Sequence, residues 1–116
     1  MRKSFYALGR LPAGRMNKTE QTYEQEVLKP AMQSGQIVWY QFEGIKFRLA
    51  DNTFYTPDFS VMNADGTMEI HEVKGFWQDD ARVKIKVAAD RYPFRFIAVQ
   101  RAAKKDGGGW CREEFK

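Results

Sequence analysis

A turn signal near the middle of the chain constrains the fold more than any other feature. The residues Asn63-Ala64-Asp65-Gly66 separate two runs with strand character, which end at Met62 and resume at Met68. Such a pattern predicts a β-hairpin, because glycine adopts the left-handed backbone that a tight hairpin turn requires. The position of Gly66 favours a three-residue turn in which Asn63 pairs with Thr67. A two-residue turn would shift the register by one residue and reverse the faces of one strand.

The region before the hairpin begins with helix signals. Asn17 or Thr19 is a suitable cap, and acidic residues in the first turn favour the positive end of the helix dipole. Pro30 conflicts with a straight helix, so we expect a break or kink near Lys29. Ser34-Gly35 ends the element. The predicted apolar stripe of this helix consists of Tyr23, Val27, Leu28 and Met32.

The rest of the chain predicts strands and one further helix. A second helix is expected from Asp79-Asp80 to about Arg91, closed by Pro93. Because this helix connects two strands, it is expected to cross over a sheet and cover it. We therefore predict an α/β fold with one domain over residues 17–116, in which a central mixed β-sheet is flanked by helices. A basic N-terminal arm over residues 1–16 precedes it. Predicted strands cover residues 37–42, 45–49, 54–62, 68–74, 94–99 and 110–115.

The composition excludes several classes of function. The single cysteine, Cys111, rules out an intramolecular disulfide framework, and we expect it to be a small buried residue. The single histidine, His71, rules out a zinc finger or a histidine-based metal cluster within one chain. No run approaches the ~20 apolar residues of a membrane span, and the N-terminal apolar stretch is too short for a signal peptide. A cytoplasmic protein without a membrane partner is expected.

Two carboxylates and a lysine form a candidate hydrolytic site on the predicted hairpin. Counting back from a three-residue turn places Asp58 opposite Glu72. Side chains alternate along a strand, so Lys74 shares the face of Glu72. A two-residue turn would instead oppose Asp58 to Val73 and separate the group.

Adjacent carboxylates repel each other, and a hard divalent cation with oxygen ligands offsets the repulsion. Two carboxylates and a backbone carbonyl, such as that of Val73, would suffice for Mg²⁺. Lys74 would hold or activate the attacking water, or stabilise charge on a phosphate, which is the chemistry of phosphodiester hydrolysis. In the alternative interpretation Asp58 caps a strand, and Glu72 and Lys74 form a solvated strand face. The apolar residues Ile70 and Val73 argue against such an exposed edge.

The pattern resembles the PD-(D/E)XK nuclease superfamily. The matching residues are Pro57-Asp58 and Glu72-Val73-Lys74, with Glu20 in the place of the helical acidic residue. Three stretches look more narrowly like small phage and prophage endonucleases: residues 17–20, 55–59 and 71–76. The resemblance covers about residues 16–115. It implies a restriction-endonuclease-like αβββαβ core and Mg²⁺- or Mn²⁺-dependent cleavage of DNA in a bacterial host.

The resemblance implies a role for each residue of the group. Asp58 and Glu72 are expected to bind the metal, Glu20 to assist through the metal or water, and Lys74 to position the nucleophile. Glu24 lies one turn beyond Glu20 on the same helix face, so geometry leaves it open as the helical acid, whereas the resemblance favours Glu20. His71 lies on the opposite strand face and is expected to be a packed or a surface residue rather than a catalytic one.

Three alternatives to a simple endonuclease stay open. One is a structure-specific junction or branch resolvase, which is expected to be a homodimer because symmetric cutting of both strands needs two sites. The second is a non-catalytic DNA-binding or assembly protein on the same fold. The third is a structural protein in which the charge cluster is incidental.

The net charge of +4, from 19 basic and 15 acidic residues, favours an anionic partner such as DNA. The arm offers Arg2, Lys3, Arg10 and Arg15 as phosphate contacts, and Phe76 and Trp77 are expected to pack rather than to stack on bases. The predicted DNA contacts within the domain are Lys46 and Arg48 on one strand, and Arg82, Lys84 and Lys86 on the second helix.

Overall fold

A mixed five-stranded sheet forms the centre of the protein. The computed structural model describes residues 14–75 and 79–116, so the predicted contacts of Arg2, Lys3, Arg10, Phe76 and Trp77 lie outside the described residues. The sheet has the order β1-β4-β5-β6-β7, in which only β5 and β6 are parallel, and β2 pairs with β3 in a separate two-stranded sheet. The strands are β1 (Ile37–Phe42), β2 (Phe47–Ala50), β3 (Thr53–Tyr55), β4 (Phe59–Asn63), β5 (Met68–Lys74), β6 (Arg95–Arg101) and β7 (Trp110–Phe115).

Helical segments cover both faces of this sheet. The first segment contains α1 (Lys18–Tyr23), a π-helical stretch (Glu24–Leu28) and α2 (Lys29–Ser34), and the second is α3 (Asp79–Arg91). α3 connects the parallel strands β5 and β6, as the predicted crossover requires. The predicted single α/β domain with a mixed sheet between helices is confirmed.

Alternation along the strands produces two hydrophobic cores. On one face α3 and the small sheet enclose residues such as Ile70, Phe96 and Ile85. On the other face the first helical segment packs against Val73 and Ile97 through its own apolar residues. The central strands are therefore buried on both faces, and polar side chains that point from them need partners within the protein.

The hairpin turn has the predicted geometry. The N–H of Asn63 donates to the carbonyl of Thr67 at 2.8 Å, and the N–H of Gly66 donates to the carbonyl of Asn63 at 3.0 Å. Gly66 has a φ of +87°, which is the left-handed conformation expected for the last residue of a three-residue turn. The register of the two strands follows from this turn and pairs Phe59 with His71.

The first helical segment differs from its prediction in two respects. Its backbone continues through Pro30 to Ser34, and the expected irregularity takes the form of the π-helical stretch just before the proline. There the N–H of Lys29 donates to the carbonyl of Glu24, five residues earlier. The wider turn changes the phase of the apolar stripe, so Met32 is 41% exposed while Tyr23 and Leu28 are buried. The assignment of Met32 to the core was wrong.

The predicted strand over residues 54–62 was also wrong, because the chain divides at Thr56-Pro57-Asp58 into β3 and β4 of different sheets. Proline has a fixed φ and no N–H, so Pro57 cannot continue a ladder in the middle of a sheet. The number of strands is accordingly larger than predicted.

Cys111, expected to be buried, is exposed on the edge strand β7. Within the described residues, no helix is long and apolar enough to cross a membrane.

Gly66→Ala is expected to lower the free energy of unfolding by about 1 kcal/mol, because an L-residue is strained in the left-handed conformation. Gly75→Ala is the matched control, since Gly75 has an ordinary φ and an added Cβ would meet open space. Urea denaturation of both variants measures the difference. An equal stability of the two variants would contradict the role of Gly66 in the turn.

Candidate active site

Asp58 joins the two strands of the hairpin at the end opposite the turn. It follows the buried Pro57 and immediately precedes β4, and its Oδ2 accepts a hydrogen bond from the N–H of Val73 at 2.8 Å. Because Phe59 pairs with His71, the preceding Asp58 comes beside Glu72, and the two carboxyl groups lie within hydrogen-bonding reach. The predicted pairing of Asp58 with Glu72 is confirmed.

Glu72 is held at the end of β5 between two partners. Lys74 lies on the same strand face, with its Nζ 3.9 Å from Oε2 of Glu72. The hydroxyl of Tyr55 donates to Oε1 of Glu72 at 2.5 Å. The predicted clustering of Asp58, Glu72 and Lys74 on one face of the hairpin is confirmed, whereas their catalytic roles stay predictions.

Glu20 reaches the same place from the other side of the sheet. It forms a capping box, in which Oδ1 of Asn17 accepts from the N–H of Glu20 at 2.8 Å and Oε1 of Glu20 accepts from the N–H of Asn17 at 2.7 Å. Its carboxyl group is close enough to Asp58 for the charge of Asp58 to raise the pKa of Glu20, and both residues line one cavity. Glu24 was the alternative candidate for the helical acid. Its carboxyl group lies outside this cluster, since its Oε2 accepts a hydrogen bond from the hydroxyl of Tyr40 at 2.7 Å. The geometry therefore distinguishes the two acids and brings Glu20 to Asp58.

The three acidic residues are buried, with exposed fractions of 8% for Glu20, 9% for Asp58 and 7% for Glu72. Burial raises the pKa of Glu20 to about 8, and the charge of Asp58 adds to the effect. Burial likewise raises the pKa of Asp58 to about 8, together with the hydrogen bond and charge of Glu72. At neutral pH Glu20 and Asp58 therefore retain protons.

These side chains line an open cavity of about 360 Å³. Its walls are polar, so it suits a hydrated or cationic ligand better than an apolar one. The lining residues among the described part of the chain are Asn17, Thr19, Glu20, Asp58, Glu72, Val73, Lys74 and Gly75. We call this cavity the acid pocket.

The donor set of the acid pocket fits an oxygen-coordinated divalent cation. Among the described residues, no three His, Cys, Asp or Glu side chains already stand in a metal-holding arrangement. Each acid uses one oxygen for a fixed donor: Glu20 for the Asn17 N–H, Asp58 for the Val73 N–H and Glu72 for the Tyr55 hydroxyl. These donors leave one carboxyl oxygen of each acid for a further ligand, and carboxylate oxygens are the ligands that hard divalent cations prefer.

The predicted DNA contacts do not line the acid pocket. Arg82 forms a double hydrogen bond with Glu113, at 3.1 and 2.7 Å, and the Nζ of Lys46 lies 4.4 Å from the ring centre of Phe54. Arg48 lies 3.8 Å from Asp51. Lys84 and Lys86 are exposed on α3. Their roles in DNA binding stay predictions.

Two basic residues lie beside the acid pocket, and the sequence did not predict this position for them. Arg15 and Lys18 are exposed and line a second open cavity of about 540 Å³, which shares Asn17 with the acid pocket. Lys18 was not predicted as a contact, although its position next to the helix cap was a usable signal. Arg15 was predicted only as part of the arm.

Sequence reasoning also missed the hydrogen bonds that hold β5 to α1. The hydroxyl of Tyr23 lies 2.7 Å from Nδ1 of His71, and Nε2 of His71 lies 2.9 Å from Oε1 of Glu69. Burial lowers the pKa of His71, so a neutral ring donates to Glu69 and accepts from Tyr23. His71 is packed on the face opposite Glu72, as predicted. No local pattern of residues predicts this contact between distant segments.

Comparison with known proteins gives one match. Residues 15–107 match the family described as a protein of unknown function, DUF1064. The chain belongs to this family. No curated protein and no solved structure matches it. The matched residues of this DUF1064 protein include Glu20, Asp58, Glu72 and Lys74.

Asp58→Asn is expected to stabilise the metal-free protein at alkaline pH. The pKa of about 8 in the folded state exceeds the usual 3.8, so the folded state retains a proton that the unfolded state releases. This contribution to stability is fully present below about pH 4 and is lost as the pH rises through about 8. Asparagine carries no charge and still accepts the Val73 N–H. A gain of about 1 kcal/mol or more is expected near pH 9, since one pKa unit corresponds to about 1.4 kcal/mol.

Urea unfolding in EDTA at about pH 5 and about pH 9 measures this effect. Asp90→Asn, at an exposed position on α3, is the control and should show no comparable gain. A loss of stability in Asp58→Asn at the higher pH would contradict the repulsion between the buried carboxylates.

Proposed function

We propose that this DUF1064 protein is a divalent-metal-dependent DNA endonuclease of the PD-(D/E)XK type, which hydrolyses phosphodiester bonds with Mg²⁺ or Mn²⁺. One observation carries the proposal. Asp58, Glu72 and Lys74 converge on one face of the hairpin, and Glu20 joins them from α1 in a single polar pocket. A solvated strand face would not bury three carboxyl groups together.

The order of the elements supports the same proposal. Without the small β2–β3 sheet, the chain runs through a helical segment, β1, β4, β5, α3 and β6. This is the αβββαβ order that the resemblance to the restriction-endonuclease-like core implies. The small sheet and β7 are then additions to that core.

Each acid of the pocket has a definable task in hydrolysis. Asp58 and Glu72 would hold the cation through their second oxygens, and Glu20 would complete the site through the cation or a water. The bound cation supplies a Lewis acid that polarises the phosphate and lowers the pKa of a coordinated water. The fixed donors Val73 N–H, Asn17 N–H and Tyr55 hydroxyl keep the three carboxyl groups oriented.

We propose that Lys74 acts on the reacting atoms. Its Nζ lies beside Oε2 of Glu72, the oxygen that the Tyr55 hydroxyl leaves for the cation. An ammonium group at this position orients the attacking water or stabilises the charge that develops on the phosphate.

The surface charge favours DNA as the substrate. The acid pocket repels phosphates by itself, so the strand needs basic residues at its rim. Arg15 and Lys18 line the cavity that adjoins the pocket through Asn17, and we propose them as phosphate contacts nearest to the site. We further propose a cytoplasmic role for the protein in a bacterial host that carries phage or prophage DNA.

Incubation of the purified protein with supercoiled, linear, single-stranded and four-way-junction DNA tests the function. Cleavage is expected with Mg²⁺ or Mn²⁺ and not with EDTA. Cleavage of the junction alone, by a dimer, would assign the resolvase activity instead. Binding of DNA without cleavage in any of these conditions would contradict the endonuclease and favour the non-catalytic DNA-binding protein.

Lys74→Ala is expected to reduce the cleavage rate about a hundredfold or more, which is the usual cost of removing one preorganised electrostatic group. DNA binding measured in Ca²⁺ should change little, because Lys74 is one of 19 basic residues. Lys29→Ala, at an exposed position on α2, is the matched control and should retain the parental rate. Cleavage at the parental rate by Lys74→Ala would reject the proposed role.

Glu20→Gln and Glu24→Gln are expected to show which acid of the first helical segment contributes to metal binding. Glu20→Gln should weaken the binding of Mn²⁺, because Glu20 lies beside Asp58. Glu24→Gln should not, because its carboxylate is bound to Tyr40 outside the acid pocket. Calorimetric titration with Mn²⁺ measures both affinities. The reverse result would assign the helical acid to Glu24.

A further inference from the structure

The small β2–β3 sheet reaches the acid pocket through one side chain. Tyr55, at the end of β3, is 7% exposed, and its hydroxyl donates to Oε1 of Glu72 at 2.5 Å. The hydroxyl is the donor in this hydrogen bond, because a carboxylate oxygen accepts. Glu72 and Tyr55 thus belong to different sheets, and a single hydrogen bond joins them.

This hydrogen bond removes the freedom of the carboxyl group to rotate. The terminal torsion of a glutamate is broad and roughly two-fold, so Oε1 and Oε2 would exchange places without a fixed partner. With Oε1 held by Tyr55, Oε2 is the oxygen that lies 3.9 Å from Nζ of Lys74. The contact therefore fixes the plane of the carboxylate and directs its second oxygen towards Lys74.

Tyr55 is itself firmly placed. It pairs with Phe47 across the small sheet, and the ring of Phe47 contacts the rings of Phe96 and Tyr92, with centroids 5.4 and 4.8 Å apart. The hydroxyl of Tyr92 donates to the carbonyl of Arg48 at 2.5 Å, which ties β2 to the end of α3. The donor to Glu72 thus stands on a packed support, as orientation of a ligand requires.

We propose that Tyr55 is a positioning residue for the metal site, and that the β2–β3 sheet serves the acid pocket by presenting this hydroxyl to Glu72. The inference rests on the proposed function in one respect only, the use of Glu72 as a metal ligand. Partners of this kind fix the orientation of metal ligands, and their loss typically costs about 10- to 100-fold in metal affinity or activity.

Tyr55→Phe tests the proposal, because the ring is kept and only the hydroxyl is lost. Calorimetric titration of the full chain with Mn²⁺ should show an affinity about tenfold weaker or more. In cleavage assays the Mg²⁺ concentration for half-maximal rate should rise, while the KM for DNA at saturating Mg²⁺ stays unchanged. A purely structural role would instead lower the melting temperature without changing the metal response of the folded protein.

Tyr40→Phe is the matched control. It removes the same group from a tyrosine whose hydroxyl donates to another glutamate, Glu24, at 2.7 Å, outside the acid pocket. The variant should bind Mn²⁺ as the parent does. An equal loss of Mn²⁺ affinity in both variants, or parental affinity in Tyr55→Phe, would overturn the proposal.

Glu72→Asp provides a second variant that does not alter Tyr55. It withdraws the carboxylate from the hydroxyl by one methylene, so Mn²⁺ affinity should fall, and adding Tyr55→Phe should then cost little more. Additive losses would overturn the proposal, because Tyr55 would then act independently of Glu72. If Tyr55→Phe fails to fold, parental Mn²⁺ affinity in Glu72→Asp alone would overturn it.

The two proposals fail in different ways. If the parent protein binds Mn²⁺ in a manner that depends on Tyr55 but cleaves no DNA, the endonuclease is wrong and the positioning role stands. If the parent cleaves DNA and Tyr55→Phe responds to metal as the parent does, the positioning role is wrong and the endonuclease stands.

Discussion

The hydrogen bond from the N–H of Val73 to Oδ2 of Asp58, at 2.8 Å, is the contact on which the site depends. It joins the residue before β4 to the end of β5, and it gives a buried carboxyl group a fixed donor. Burial of an acid is unfavourable without such a partner. With Asp58 fixed in this way, Glu72 and Glu20 lie against it, and burial together with the nearness of the acids raises the pKa of Asp58 and of Glu20 to about 8.

A second set of contacts, on the other face of the sheet, holds the elements that carry these acids in register. Tyr23 follows Glu20 by one turn, and His71 precedes Glu72 in β5. The hydrogen bonds from Tyr23 through His71 to Glu69 therefore couple α1 to β5. Glu69 is in turn paired with Arg95 at 2.9 Å, which extends the network to β6. The pocket depends on groups buried well away from it.

Local signals explain what could be predicted from the sequence. The left-handed Gly66 set the register of the hairpin. This register placed Asp58 beside Glu72, and the alternation of side chains placed Lys74 on the same face as Glu72. The Asn17 cap fixed the start of α1, and thereby Glu20 in its capping box. Each of these features depends on residues that are close along the chain or joined by one short turn.

The features that were missed depend on contacts between distant segments. The chain divides at Pro57, so that β3 and β4 belong to different sheets. Only the tertiary structure shows that Tyr55 of β3 nevertheless forms a hydrogen bond with Glu72. Glu20 and Glu24 are both acidic residues on the same helix face, so the sequence does not distinguish them. In the structure they differ because the hydroxyl of Tyr40 binds Glu24. Cys111 has the apolar character of a core residue, but its strand is an edge strand, and composition does not show which strand that is.

We propose that Asp58 and Glu72 form a metal site. Anomalous diffraction from crystals of the full chain soaked in Mn²⁺ tests it most directly. A peak is expected in the acid pocket, bonded to carboxylate oxygens of Asp58 and Glu72 at about 2.1 Å, a distance typical of hard divalent cations with oxygen ligands. A peak at other residues, with the two carboxyl groups still bonded only to each other and to protein donors, would contradict it.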